Sequence, residues 1–219
     1  MIDFHTHTLF SDGELIPAEL VRRAAVRGYK ALAITDHGDA SNIDFIIPRV
    51  VHVCRILSAA HKIRVIPGIE LTHVPPKHIA GLALEARRLG AGIVIVHGET
   101  LVEPVVPGTN TAALKADIDI LAHPGLISEA DMKLAKKSKI FLEITTRKGH
   151  SLTNGHVVKM ARRFKVPLVL NTDSHAPGDL VEDDMAQAVL LGAGMALKEA
   201  ETVRENARTL VDRIWTGKR

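Results

Sequence analysis

Seven short aliphatic runs recur along this chain, about thirty residues apart, and six of them hand over to His, Asp or Glu at their carboxyl end. They occupy residues 2–4, 31–34, 64–67, 92–96, 118–121, 140–144 and 167–171. Runs this short and this rich in Val, Ile, Leu and Ala suit parallel strands covered by helices. Aromatic residues make up only 3% of the chain, so the core has to be aliphatic. Helical stretches separate the runs. Pro17 opens the first, where its missing donor costs nothing, and Gly28 ends it. A second runs from Asn42 or Asp44 to residue 60, with Pro48 arguing for a break or a late start. A third follows Pro75-Pro76 and stops at Gly90. Further helices are expected at 111–115, 129–136, 153–164, about 180–191 and about 199–214.

Seven strand-to-helix units without a linker predict one α/β domain over residues 1–219, closed or nearly closed as a TIM-like barrel, with C-terminal helices at about 180–214. An open dinucleotide-binding sheet is disfavoured, because no Gly-x-Gly-x-x-Gly follows the first strand. A barrel gathers the strand ends in one place, whereas an open sheet would leave Asp12 and Asp173 far apart.

The residues gathered there are metal-binding types. His5 and His7 lie two apart on one strand and share a face. Asp173 and His175 repeat that spacing on the last strand, which neighbours the first in a barrel. With Asp12, His37, Glu70, His97 and His123 the candidates number nine: six His, two Asp and one Glu. One four-coordinate ion cannot use nine ligands, but two or three can. Such ions would clamp a phosphate and activate a hydroxide for in-line attack. The single cysteine, Cys54, excludes an internal disulfide and a thiolate site, and His with carboxylates suits Zn, Mn or Fe. His52, His61, His73, His78 and His156 are left outside the site as helix or loop residues.

These residues carry a resemblance. His5-Thr6-His7 with Ser11-Asp12-Gly13, then Thr35-Asp36-His37, His123-Pro124 and Asn171-Thr172-Asp173-Ser174-His175 resemble the PHP family, the polymerase-and-histidinol-phosphatase superfamily of metal-dependent phosphoesterases. The resemblance runs over essentially the whole chain. It implies a distorted seven-stranded (β/α)7 barrel. It implies one metal on His5, His7, Glu70 and Asp173, a second on Glu70, His97 and His123, and a third on Asp12, His37 and His175. The activity implied is hydrolysis of a small phosphate monoester, with histidinol phosphate the favoured substrate. Arg147, Lys148 and His150 follow the one strand without a ligand, and are expected to face the mouth and meet the phosphate.

The alternatives are a nuclease or phosphodiesterase acting on nucleic acid, a non-enzymatic ribonucleoprotein scaffold, and an amidohydrolase. The scaffold predicts eroded ligands, yet the set is complete. The amidohydrolase often needs a strand-end lysine, and none stands at the expected position. The partner expected is a small phosphorylated molecule. Nucleic acid is expected to be an unlikely one, since few aromatics are available for stacking and the basic pairs and runs read as solvated helix faces. No signal peptide and no run of about 18 apolar residues is seen, so a cytoplasmic, membrane-free protein is expected.

Overall fold

The computed structural model describes residues 1–217. The elements follow in the order β1 (Ile2–Asp3), α1 (Pro17–Val26), β2 (Ala31–Ile34), β3 (His37–Gly38), α2 (Ile43–His61), β4 (Arg64–Leu71), α3 (Pro76–Arg88), β5 (Ile93–His97), α4 (Thr109–Ala113), β6 (Ile120–Ala122), α5 (Glu129–Ser138), β7 (Phe141–Thr145), a 3-10 turn (His150–Thr153), α6 (Asn154–Phe164), β8 (Leu168–Asn171), α7 (Asp183–Gly192) and α8 (Leu197–Trp215). The strands are parallel, in the order β1-β2-β4-β5-β6-β7-β8, and the two-residue β3 adds to β4. The seam between first and last strands is closed by a bridge from Thr6 to Ser174, by His7 N donating to Ser174 O at 2.8 Å, and by Phe4 N donating to Asn171 Oδ1 at 2.9 Å. This is the near-closed, distorted (β/α)7 barrel that the seven runs predict.

Period-two alternation within each run decides what fills the barrel and what covers it. Ala31, Ala33, Ile66, Ile93, Ile95, Ile120 and Val169 belong to the inner cluster. Their neighbours Leu32, Ile34, Val65, Val94, Leu121 and Leu142 belong to the larger cluster that includes the surrounding helices. Ala207, Leu210 and Val211 of α8 join the inner cluster, so α8 plugs the end at which the strands begin. The opposite end stays open for polar side chains.

Asp119, just before β6, fastens that plug. Its carboxylate accepts from Val94 N at 3.0 Å, from Arg87 Nη2 at 2.6 Å and from Arg213 Nη2 of α8 at 3.0 Å. Removing one partner of a largely buried charge set leaves the others uncompensated. Asp119→Ala is expected to lower stability by about 3 kcal/mol, read as a shifted midpoint in urea unfolding.

Pro48 neither breaks nor delays α2, which starts at Ile43 and runs through it to His61. The buried stripe Ile43, Ile46, Ile47, Val50, Cys54 and Leu57 continues past the proline, while Pro48 and Asp44 lie on the solvent side. The carbonyl left without a partner four residues earlier is therefore on the exposed face, where packing outweighs its loss. The short helix expected at 111–115 forms two residues earlier, at Thr109–Ala113. Glu99 Oε1 accepts from Gly108 N and Asn110 N at 3.0 and 2.9 Å, which starts the helix there.

Candidate metal centre

The open end of the barrel is built by local interactions that aim imidazoles and carboxylates inward. Buried Asp36 accepts from Thr8 N, Thr8 Oγ1 and Ser11 Oγ at 2.7, 2.8 and 2.8 Å, and so shapes the turn after His7. Gly13 completes that turn. A Cβ there would lie 2.5 Å from the His7 carbonyl, so the chain folds back only with glycine and carries Asp12 over the barrel mouth. Asp12 Oδ1 is 3.4 Å from His37 Nε2, and its Oδ2 is 3.3 Å from His175 Nε2. At the seam, His5 Nε2 lies 3.2 Å from Glu70 Oε1 and 3.5 Å from Asp173 Oδ1. His7 Nε2 lies 3.1 Å from Asp173 Oδ1, and His123 Nε2 is 3.7 Å from both Glu70 Oε1 and Asp173 Oδ2.

Three of the groups in reach of one ion combine residues of the expected sets: His5, His7 and Glu70 from the first; His5, His123 and Asp173 across the first and second; and His7 from the first with Asp12, His37 and His175 of the third. The fourth, His97, His123 and His150, differs from expectation. His150 does not stand apart as a phosphate contact. Its ring stacks on His123 with centroids 4.2 Å apart, and Thr100 Oγ1 holds its Nδ1 at 2.7 Å, which directs Nε2 to the cluster. The centre thus has clusters able to coordinate two or three ions.

The buried nitrogens and oxygens of this centre test whether cations fit. His5 Nε2, both ring nitrogens of His7 and of His123, and Glu70 Oε1 are buried with no hydrogen-bond partner. Orphaned polar atoms in a protein interior are costly, so several of them converging on one space is the arrangement a bound cation satisfies. The charges agree. Burial disfavours the Glu70 carboxylate, yet His5 and His37 hold its pKa well below the usual range. Asp173 and Asp12 are also shifted down against their burial, by His5 and His7 for the first and by His175 and His37 for the second. Burial likewise opposes charge on His5 and His37, but the surrounding carboxylates, Glu70 first, raise the His37 pKa to about 10 and that of His5 well above normal. Burial pushes His7 down to about 3 and His123 well below its normal range. Ionised carboxylates here draw positive charge onto imidazoles; a metal ion supplies that charge and releases those protons. His123 and Asp173 also have positive φ, 23° and 53°, a strained backbone at two ligand positions.

A cavity of about 290 Å3 opens over the centre, lined by its outer residues together with Thr72, His73, Glu103 and Arg147. Arg147 lines the mouth: its Nη1 is 3.1 Å from Asp179 Oδ2 and its Nε 4.0 Å from Asp173 Oδ2. Lys148 is exposed and is not among the lining residues. Two larger clefts, of about 550 and 380 Å3, lie elsewhere and hold none of the His-carboxylate groups.

Two acidic residues outside the nine candidate ligands also reach the centre. Glu103 reaches over from the loop after β5: its Oε2 is 3.1 Å from both His97 Nε2 and His73 Nε2, and its Oε1 is 3.3 Å from His150 Nε2. His73, set aside as a loop residue, is thereby at the rim, exposed but lining the cavity. The signal available was Glu103-Pro104 in a loop that follows a ligand-type histidine. Glu143, inside β7, has Oε2 2.8 Å from His5 Nδ1 and accepts from Asn171 Nδ2 at 2.8 Å. It fixes the ring so that Nε2 points at the centre. Outer partners of this kind typically change metal affinity 10–100-fold. Glu143→Gln is therefore expected to weaken Mn or Zn binding by about 10–100-fold, measured by competition with a chromophoric chelator.

Comparison with known proteins places these residues in context. The PHP domain family matches residues 3–103. An uncharacterized protein of Methanocaldococcus jannaschii is 52% identical over 97% of this chain and 99% of its own length. The DNA polymerase/3′-5′ exonuclease PolX of Bacillus subtilis is 26% identical over 96% of this chain and 40% of its own length. Among solved structures, an archaeal ribonuclease P with mature tRNA contains a chain of the same fold, with TM-score 0.75 and 18% identity over 96% of this chain and 90% of that one. The histidinol phosphate phosphatase of Lactococcus lactis, complexed with Zn, L-histidinol and phosphate, has TM-score 0.62 and 18% identity over 89% and 94% of the two chains. The expectation that nucleic acid is an unlikely partner is corrected by the likeness to a ribonuclease P bound to tRNA. Its premise was too narrow: scarce aromatics limit base stacking, but phosphate contacts need only cations. Among the described residues no helix is long and apolar enough to cross a membrane.

Proposed function

This chain belongs to the PHP-domain family, and on that premise we propose that it hydrolyses phosphoesters, with the terminal nucleotide of a nucleic-acid strand as substrate. The observation that carries the hydrolytic reading is the convergence of unpartnered buried imidazole and carboxylate atoms beneath a cavity that also holds Arg147. His5, His7, Glu70 and Asp173 would hold one ion. His97, His123 and His150, with Glu103 beside them, would hold a second, and Asp12, His37 and His175 a third. Bound there, such ions supply Lewis acidity toward phosphoryl oxygens and lower the pKa of water.

The chain's own residues do the rest. Arg147, steadied by Asp179, presents guanidinium donors to the non-bridging oxygens. Asp179 also accepts from His175 N and Ala176 N at 2.9 and 2.8 Å, so the arginine and the last ligand loop are set by one carboxylate. Asn110 does the same for the mouth's other side: its Oδ1 accepts from Glu99 N and its Nδ2 donates to Pro124 O, which ties the loop after β5 to the turn of His123. A cavity of about 290 Å3 admits a phosphate and its attached sugar rather than a continuous duplex, which favours a strand end. The exonuclease activity in the name of the Bacillus relative and the tRNA in the archaeal complex support the nucleic-acid side of this reading.

A second reading, hydrolysis of a small phosphate monoester, is favoured by the fold shared with the Lactococcus enzyme, and histidinol phosphate is its first test substrate. The deciding experiment loads the protein separately with Mn, Zn and Fe and offers end-labelled RNA and DNA oligonucleotides beside histidinol phosphate. Mononucleotides released from strand ends support the first reading. Phosphate released from histidinol phosphate alone transfers the assignment to the second. Neither reaction from protein holding two or three ions ends the hydrolytic proposal.

A further inference from the structure

We propose that the α5–α6 flank of the barrel is a surface that binds the phosphate backbone of double-stranded nucleic acid. It extends the nucleic-acid side of the functional proposal but rests on separate residues and is tested by binding, so either can fail alone.

The charge of this protein is segregated. Residues 129–166 carry ten Lys and Arg against three Asp and Glu, whereas the rest of the chain carries eighteen against twenty-two. The flank is thus +7 on a chain whose net charge is +3. None of its three acids offers free negative charge. Glu143 is buried against His5, and Asp131 is taken up by Ser128 and Thr111 at the start of α5. Glu129 pairs with Arg163. The cations, by contrast, are exposed: Lys133, Lys136, Lys137 and Lys139 on and after α5, and Lys159, Arg162, Arg163 and Lys165 on and after α6.

An ordinary solvated helix face balances its charges locally. Helix α1 does so with Glu19 and Arg23, and α8 with Glu201 between Arg204 and Arg208. On the α5–α6 flank only the two arginines are paired, Arg162 with Glu199 and Arg163 with Glu129. Among the described residues, Lys133, Lys137, Lys139, Lys159 and Lys165 have no acidic side chain within ion-pair distance. Concentrated like charge disfavours the folded state unless a counter-charge arrives.

At the lower end of this flank the helix ends frame the 550 Å3 cleft, which Lys136, Lys139, Arg162 and Lys165 line with Glu199 as the one acid. Lys136 Nζ donates to Lys165 O at 2.9 Å, which draws the two helix ends together. Lys139 and Lys165 both occupy the left-handed region, φ 58° and 57°, a position that glycine fills without strain after α3. At the upper end, after β7, Lys148 is exposed and Arg147 lines the cavity mouth, paired with Asp179.

The chemistry of the strip selects its occupant. Leu152, in the 3-10 turn that leads into α6, is the one large exposed apolar side chain of this segment, so a lipid surface finds little to anchor in. Phe141 is buried and no aromatic ring is exposed on the flank, so splayed single-stranded bases find no stacking platform. Ammonium groups spread over two helices about 15 Å long match regularly spaced phosphates of a duplex, which carries one charge per about 1.7 Å of axis.

The test is fluorescence anisotropy of a labelled duplex RNA, its ends protected by phosphorothioates, titrated with the metal-loaded full chain over a salt series. The expected dissociation constant is about 1–100 μM at physiological salt, with log K falling against log salt at a slope of about −4, as for the five unpaired lysines. The variant Lys137→Gln/Lys139→Gln/Lys165→Gln should flatten the slope by about 3 and weaken binding at least tenfold at low salt, with an unchanged melting curve. The control Arg204→Gln/Arg208→Gln should change neither. Turnover of p-nitrophenyl phosphate by the triple variant, read in parallel, reports on the metal centre independently. An unaltered slope in the triple variant, or no binding at 50 mM salt, overturns the proposal. So does polyglutamate competing as well as duplex at equal charge, which would assign the strip to an acidic protein.

Discussion

Asp173→Asn is expected to abolish phosphoester hydrolysis, lowering kcat/KM by about a thousandfold or more, with one equivalent of metal lost. Asp173 is the residue on which the centre converges: its carboxylate oxygens lie 3.1 Å from His7, 3.5 Å from His5, 3.7 Å from His123 and 3.9 Å from His150. A thousandfold corresponds to about 4 kcal/mol of transition-state stabilisation, within what removal of one well-placed charged group costs in a preorganised site. Asparagine is the informative replacement. Residue 173 has φ 53°, where asparagine is tolerated and alanine is strained, so Asp173→Asn removes the charge and leaves the turn. Elemental analysis separates the causes. Lost activity with full metal content would make Asp173 a participant in the reaction rather than a ligand, and retained activity would remove it from the centre altogether.

The convergence on Asp173 was legible in the chain because it depends on strand register and closure alone. His5 and His7 flank Thr6 just after the first strand, Asp173 and His175 flank Ser174 just after the last, and the Thr6–Ser174 bridge of the closed barrel sets the two pairs side by side. The aliphatic runs were legible for the same reason: Ala31-Leu32-Ala33-Ile34 alternates small residues into the barrel with larger ones under the helices. What stayed hidden depends on loops and on contacts distant in sequence. Glu103 reaches His97 and His150 because Glu99 and Asn110 fold the 99–108 loop back over the mouth, and no local periodicity encodes that. In sequence His150 follows the one strand without a ligand, which points it at substrate; its stacking on His123 comes from the 3-10 turn that follows Gly149. The basic flank was hidden by adjacency too. Its lysines belong to two helices separated by a strand, each ordinary by itself, and the barrel sets them side by side.

Removing the metal is expected to cost the fold as well as the activity. Three carboxylates, Asp12, Glu70 and Asp173, face one another through a set of imidazoles, with Glu70 fully buried and Asp173 nearly so. In the metal-free protein their charges are compensated by protons drawn onto imidazoles, His5 and His37 foremost, and by Arg147 beside Asp173, and the orphaned nitrogens of His7 and His123 gain no partner. A cation satisfies both defects. A single ion present at a thousand times its dissociation constant stabilises the native state by about 4 kcal/mol, and for a chain of this length each kcal/mol moves Tm by about 2–4 °C. Dialysis against chelator is thus expected to lower Tm by about 8–16 °C for the first ion lost, and stoichiometric Mn or Zn should restore it. In Asp119→Ala the same shift should persist on a lower baseline, because that carboxylate fastens the opposite end of the barrel and shares no partner with the centre. A Tm indifferent to chelator, in protein shown by analysis to have held metal beforehand, would mean that the centre is balanced by its own protons. The buried histidines would then serve the fold, and the hydrolytic reading would lose its physical basis.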